Sequence, residues 1–410
     1  MEAFEAPGIN TLIGSEGSLA WAEALGSNVL DPDSNLFLDF TAGFGVASIG
    51  HRHPRIVEAI RLQTSFLLHG LADVHSHHPR INLAEKLCSL VPVDQPRVYF
   101  AVSGSDAVEI ALKSAYLATG KPGILAFEPS YHGLTLGALH STSRPAFRDP
   151  FHPFLHDHVH RRPFGAPVDQ LKALLAAEPS VGTVIIEPVV GREGVLFPPD
   201  GWLQELSQLC RETGALLIAD EIFTGFGRTG KLFAVDAEEV RPDLLCCGKA
   251  LGGGLPIAAV VGSREVMKHW ETPGEAMHTA TFTANPVACA AALEVLSVIS
   301  DDQLVQRSMS LGSDLGKRLR DWSLNRAGIR SVRGRGLLWG IELTNRDLAR
   351  SWSARALSLG LIALAGGPNG NVLQLAPPLT VTTAQIEAAL DILEKSWRVL
   401  SSETTGKLDP

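Results

Sequence analysis

The chain has little cysteine: five residues in 410, at Cys88, Cys210, Cys246, Cys247 and Cys289, with no Cys-x-x-Cys pair among them. An odd, scattered set excludes a disulfide-framed module and points to a reducing, cytoplasmic compartment. Basic residues are also short, 35 against 44 acidic, and the net charge of -9 excludes the basic face that nucleic acid or an anionic membrane requires. No apolar run approaches the roughly 18 residues of a membrane span. The opening MEAFEAPGIN lacks the basic-then-apolar order of a signal peptide. No internal repeat or low-complexity block is present.

What remains is an ordinary enzyme composition, 45% hydrophobic and 19% charged, in a chain long enough for about two domains. Short apolar runs alternate with helical patterns over roughly residues 50–295, which predicts a parallel sheet covered by helices. The strands are expected at Val98–Val102, Gly123–Phe127, Val181–Ile186, Ala215–Ala219, Leu244–Cys247 and Ile257–Val261. Helices are expected at Ser105–Leu117, Val168–Ala177 and Trp202–Gly214. Beyond Asn285-Pro286, helical patterns run to about Ile299 and over Leu304–Trp322, Arg346–Leu357 and Thr383–Leu400. Strand-like pieces lie at Gly336–Leu343 and Asn371–Leu375. This predicts a large domain over 51–295 and a smaller α+β domain over 296–410, joined by an N-terminal segment, 1–50. The polar tail SSETTGKLDP is expected to fray.

Two motifs carry chemistry. The strand ending Ala219-Asp220-Glu221 is followed by Gly225-Phe226-Gly227-Arg228-Thr229-Gly230. Those glycines satisfy G-x-G-x-x-G, yet Lys231–Asp236 does not open the apolar helix that a dinucleotide site needs. Gly248-Lys249-Ala250-Leu251-Gly252-Gly253-Gly254 resembles a phosphate loop only superficially, because Asp243 stands where the first glycine belongs. The plain alternative for Lys249 is a solvated loop charge. Against it, an apolar strand delivers Lys249 into small and apolar neighbours, where desolvation frees the neutral amine that Schiff-base chemistry uses. An acid and a lysine at the carboxyl ends of separate strands, with a helix opening at Ser103-Gly104-Ser105-Asp106, suit pyridoxal 5'-phosphate (PLP). Ser105-Asp106 could equally serve only as a helix cap.

Further motifs complete the pattern: Asp39–Val46, Gly50-His51-Arg52-His53-Pro54, Phe100–Glu109, Tyr131-His132-Gly133, Glu187-Pro188-Val189, Asp220-Glu221-Ile222, Lys249 and Thr281–Pro286. In this order and approximate spacing the chain resembles a class III, omega-type, PLP-dependent aminotransferase over nearly its whole length. The resemblance implies fold type I: an α/β protein with a mostly parallel central sheet and a smaller α+β domain. It implies that Lys249 links to the cofactor and shuttles the proton, and that Asp220 pairs with the pyridinium nitrogen. Tyr131 and Ile222 would cover the two ring faces. Ser103, Gly104 and Ser105 would form the phosphate end, and Glu187 would support the Asp220 region. Thr281 would reach the phosphate held by a second copy, which implies a homodimer with shared sites.

Four positions depart from relatives that handle ornithine, acetylornithine or 4-aminobutyrate. Phe223 replaces a glutamine, Leu134 an arginine, and Gln374 the arginine that binds an α-carboxylate; Gly191-Arg192-Glu193-Gly194 lacks the usual gating glutamate. The expected donor is therefore an ω-amino acid or a primary amine with an apolar body. The expected acceptor is pyruvate or another small 2-oxo acid, its carboxylate meeting Arg192. An aminomutase, epimerase or decarboxylase would share Lys249 and Asp220, and a binding protein without activity would be expected to lack them. Elsewhere, the histidines of HPFLHDHVHRR are read as a surface loop and not a metal site, and Cys246 and Cys247 as core on alternate sides of a strand. Trp21 stands where relatives place an aromatic near the substrate.

Overall fold

The computed structural model describes residues 18–71 and 73–405 together with Phe4 and Ala6. Its centre is a seven-stranded sheet. Across the sheet the strands run Pro96–Ala101, Ala258–Ser263, Leu244–Cys247, Leu216–Asp220, Val181–Ile186, Gly123–Glu128 and Val159–Pro163. All are parallel except Ala258–Ser263, which is antiparallel to both its neighbours. The central strands are apolar runs because helices cover both faces, and every residue of Val181–Ile186 is buried. Cys246 and Cys247 do fall on opposite faces, one in each of two apolar clusters. Burial pushes both thiols up, Cys247 to about 12.

The helices begin and end where their capping chemistry dictates. Ser103 Oγ accepts from Asp106 N at the start of Gly104–Thr119, and Gly120 ends it at φ 68°. Asn285 accepts from Val287 N and Ala288 N, with Pro286 at the first turn of Pro286–Asp301. That helix packs against the Lys249 turn so closely that a β-carbon on Gly253 would lie 2.8 Å from Val295 Cγ2.

Two smaller sheets flank the centre. One joins Glu23–Leu25, Asn28–Leu30 and Leu36–Asp39 to Leu361–Ile362; the other orders Ile329–Arg335, Leu338–Leu343, Val372–Leu375 and Leu364–Gly366. The expected Gly336–Leu343 strand thus starts late, because Gly336 turns at φ 54° between two hairpin strands. The HPFLHDHVHRR segment is not one loop: Asp149–Phe154 is a 3-10 helix and His160 lies in the edge strand Val159–Pro163. The last helix continues through Thr383–Thr405, past the expected end, and the rest of the tail lies outside the described residues.

The glycine-rich stretch after Asp220 is a chain of turns, with Gly227 at φ 98° and Gly230 at φ 83°, leading only to the short 3-10 helix Ala234–Ala237. Its buried Arg228 joins the sheets: Nη1 donates to Leu337 O at 3.0 Å and Pro377 O at 2.5 Å, and Nη2 to Ser48 Oγ at 3.0 Å. Three acceptors offset part of the desolvation of this cation, whose Nε stays buried without a partner and whose pKa burial lowers to about 10.

Candidate active site

Parallel strands deliver their carboxyl ends to one edge, and the candidate residues gather there. Asp220 pairs in register with Cys246, so Lys249, three residues further on, emerges beside it. Pro96–Ala101 runs in the same sense as the parallel set, being antiparallel to the one reversed strand, and brings Ser103, Gly104 and Ser105 to the edge. Tyr131 and Glu187 follow the ends of Gly123–Glu128 and Val181–Ile186.

Lys249 opens a 3-10 turn at φ 43°, a left-handed conformation unfavourable for a residue with a β-carbon and concentrated at functional sites. Its Nζ stands 4.2 Å from the centroid of the Phe223 ring. Burial lowers its pKa to about 8; Asp220 and Glu187 oppose that shift, while Arg192 and Arg228 add to it.

Asp220 is buried and doubly held. Its Oδ2 lies 2.8 Å from His132 Nδ1, and its Oδ1 accepts from Ile222 N at 3.1 Å. Glu187 is a brace between two loops, its Oε1 accepting from Tyr131 N at 2.8 Å and its Oε2 from Gly191 N at 3.1 Å. Burial raises its pKa to about 7.

At the phosphate end, Ser103 Oγ and the Ser103 carbonyl take the N–H groups of Asp106 and Ala107. This leaves the N–H groups of Gly104 and Ser105 for an anion at a helix terminus. Ser105 Oγ also accepts from Thr135 N at 3.0 Å. Glycines keep the space clear: a β-carbon on Gly104 would lie 2.9 Å from Ile222 Cγ2, and one on Gly133 2.4 Å from Ser105 Oγ. His132 Nε2 is buried without a partner. An acid, a poised amine, a free helix terminus and an orphaned imidazole nitrogen together fit PLP.

The substrate side holds Arg192, whose guanidinium carbon lies 4.3 Å from the Tyr131 ring centroid and 5.3 Å from that of Phe147. Gln374 does not face the lysine as a free group. Its Nε2 donates to Gly191 O at 3.0 Å and Arg192 O at 2.8 Å, fixing the loop's backbone. Phe223 fills the space between Gly45 and Gly191, each of which would touch its ring with any β-carbon. Leu134 is 48% exposed, and Trp21 meets the His51 ring edge-on at 5.4 Å. Thr281 stands apart, exposed, on a segment anchored by the Thr283 hydroxyl to Phe100 O.

Sequence reasoning passed over three side chains. His132 lies inside the Tyr131-His132-Gly133 motif, but its partner Asp220 is 88 residues away. Arg144 follows no motif; its Nη2 bonds Glu193 Oε2 at 2.7 Å and Gly367 O at 2.8 Å. Glu193 itself was noted only as part of a departure.

The whole chain resembles known proteins. The family model for class-III aminotransferases matches residues 14–396. The acetylornithine aminotransferase of Methanopyrus kandleri is 37% identical over 389 residues, covering 95% of this chain and 94% of that protein. Its counterpart in Mycobacterium tuberculosis is 39% identical, covering 90% and 89%. Among solved structures, the ornithine aminotransferase from Toxoplasma gondii superposes with a TM-score of 0.90 at 29% identity, covering 98% of this chain and 94% of that one. The omega transaminase from Pseudomonas jessenii in complex with PMP gives 0.88 at 26%, covering 94% and 93%. The chain belongs to the class III aminotransferases, PLP-dependent enzymes of fold type I.

Proposed function

We propose that this aminotransferase moves an amino group from a primary amine or ω-amino acid with an apolar body to pyruvate or a similarly small 2-oxo acid. The observation that carries the reading is the placement of charge and apolar surface around Lys249. An aromatic ring lies 4.2 Å from its amine, position 374 is a glutamine bound to backbone, and the nearby substrate-side cation is Arg192. PLP, when bound, supplies the electron sink for charge developing at the substrate Cα. Lys249, already partly neutral near pH 8, is the group that would take the substrate Cα proton and hold it for return beside the same carbon. Asp220, oriented by His132, is the acid that would keep a proton on the pyridine nitrogen. Tyr131 and Ile222 would confine the ring, and the N–H groups of Gly104 and Ser105 with the Ser103 turn would hold the phosphate. Arg192 offers the acceptor's carboxylate a planar two-point donor.

The exposed Phe44, Phe66, Leu68 and Phe282 support a homodimer in which Thr281 closes on the phosphate of the second copy. All five cysteines are unpaired, which suits the cytoplasm, and among the described residues no helix is long and apolar enough to cross a membrane.

A panel of donors tests the specificity: benzylamine, an ω-amino acid and acetylornithine, against pyruvate and 2-oxoglutarate. The expected leader in kcat/KM is the apolar amine with pyruvate. Acetylornithine with 2-oxoglutarate in first place, by tenfold or more, overturns the reading.

A further inference from the structure

Two guanidiniums and one carboxylate meet beside the lysine pocket. Glu193 is 1% exposed; its Oε2 takes Arg144 Nη2 at 2.7 Å, while its Oε1 is buried with no hydrogen-bond partner. Arg192 Nε lies 4.0 Å from that orphaned oxygen, beyond hydrogen-bond length, and its side chain is 44% exposed. Arg144 and Arg192 also flank one ring: their guanidinium carbons lie 5.2 and 5.3 Å from the Phe147 centroid. The three charges sum to a single positive charge, enough to seat one carboxylate.

We infer that Arg144 is a specificity-determining positioning residue: by occupying Glu193 it keeps Arg192 available for the carboxylate of a monocarboxylic 2-oxo acid. A buried carboxylate needs partners, and removing one leaves the rest of the group seeking another. Glu193 without Arg144 has Arg192 as its neighbour, and a movement of about 1 Å brings Nε to hydrogen-bond length. Arg192 is then drawn onto Glu193 and off the substrate. Arg144 is fixed for this task by its second bond, to Gly367 O, just past the strand Leu364–Gly366.

The inference rests on Arg192 binding the carboxylate, so the test separates the two. In the holoenzyme, Arg144→Met raises the ratio of pyruvate KM to benzylamine KM by about tenfold or more, the loss of a charged hydrogen bond. Isothermal titration with propionate, a carboxylate that does not react, weakens in parallel. The double variant Arg144→Met/Glu193→Gln, which has no carboxylate to capture Arg192, restores both values, and Arg144→Lys stays within a few-fold of the wild type. Should Arg144→Met not fold, the lysine and double variants decide alone, because a double variant with weak propionate binding overturns the inference. If Arg192→Ala leaves pyruvate KM unchanged, the acceptor reading itself fails. If Arg192→Ala raises it and Arg144→Met does not, only the role of Arg144 falls.

Discussion

Lys249 gives the most quantitative prediction. Its amine titrates near 8 against an ordinary 10.5, because burial disfavours the charged form. At about 1.4 kcal/mol per pH unit the site raises the free energy of the ammonium by about 3 kcal/mol. At pH 7 roughly one molecule in ten then carries a neutral Lys249, against roughly one in three thousand for a lysine in water. Reductive methylation of the apoenzyme with labelled formaldehyde, from pH 6 to 10, reads this fraction by peptide mass spectrometry. A free lysine peptide in the same mixture serves as the reference. Lys249 is expected to reach half its maximal labelling near pH 8, and the free peptide only toward the ordinary 10.5. Substitutions should move the midpoint in opposite senses: Asp220→Asn downward, by removing an anion, and Arg192→Ala upward, by removing a cation. A Lys249 midpoint coinciding with that of the free peptide refutes the argument, and equal shifts from both variants refute its electrostatic part.

Two further outcomes follow from packing and burial. A β-carbon at Gly191 would lie 2.3 Å from Phe223 Cδ1, and the far side of that ring already meets Gly45. Gly191→Ala is therefore expected to cost about 1–3 kcal/mol in urea unfolding, partly relieved by Phe223→Ala in the same chain; strictly additive effects would falsify the clash. Glu221 is fully buried and its pKa is raised to about 7, so the native state keeps a proton that the unfolded chain releases above about 4.5. Unfolding free energy from this group thus falls as pH rises through that window, by up to about 3 kcal/mol. Glu221→Gln is expected to gain on the wild type between pH 5 and 7.5, and parallel urea midpoints would sink the assignment.

Most of the central sheet was legible because its inner strands are short, largely apolar runs. Two edge strands were not, for a physical reason: Val159–Pro163 and Ile329–Arg335 are half-buried, carry polar side chains and read as VHRRP and IRSVRGR, whereas the edge strand Pro96–Ala101 was readable from its apolar end. The three N-terminal strands are only three or four residues long, too short for alternation to register. Lys249 and Asp220 were readable because their neighbours in sequence create their environment. Arg144 was not, since what gives it meaning is a carboxylate 49 residues away and a carbonyl 223 residues away.

The loop carrying Arg192 has a double attachment. Its chain leaves the central sheet beside Glu187, yet its carbonyls are held by Gln374 and Gly367 N from the third sheet. The amine that handles the proton is carried by the central sheet and feels this loop through the charge of Arg192. Recognition and chemistry can therefore drift apart over generations: changes near residues 367–374 can retune which partner molecule is admitted while the proton-handling apparatus stays as it is. A library confined to that distant stretch should yield new acceptor preferences at nearly constant turnover for the amine half.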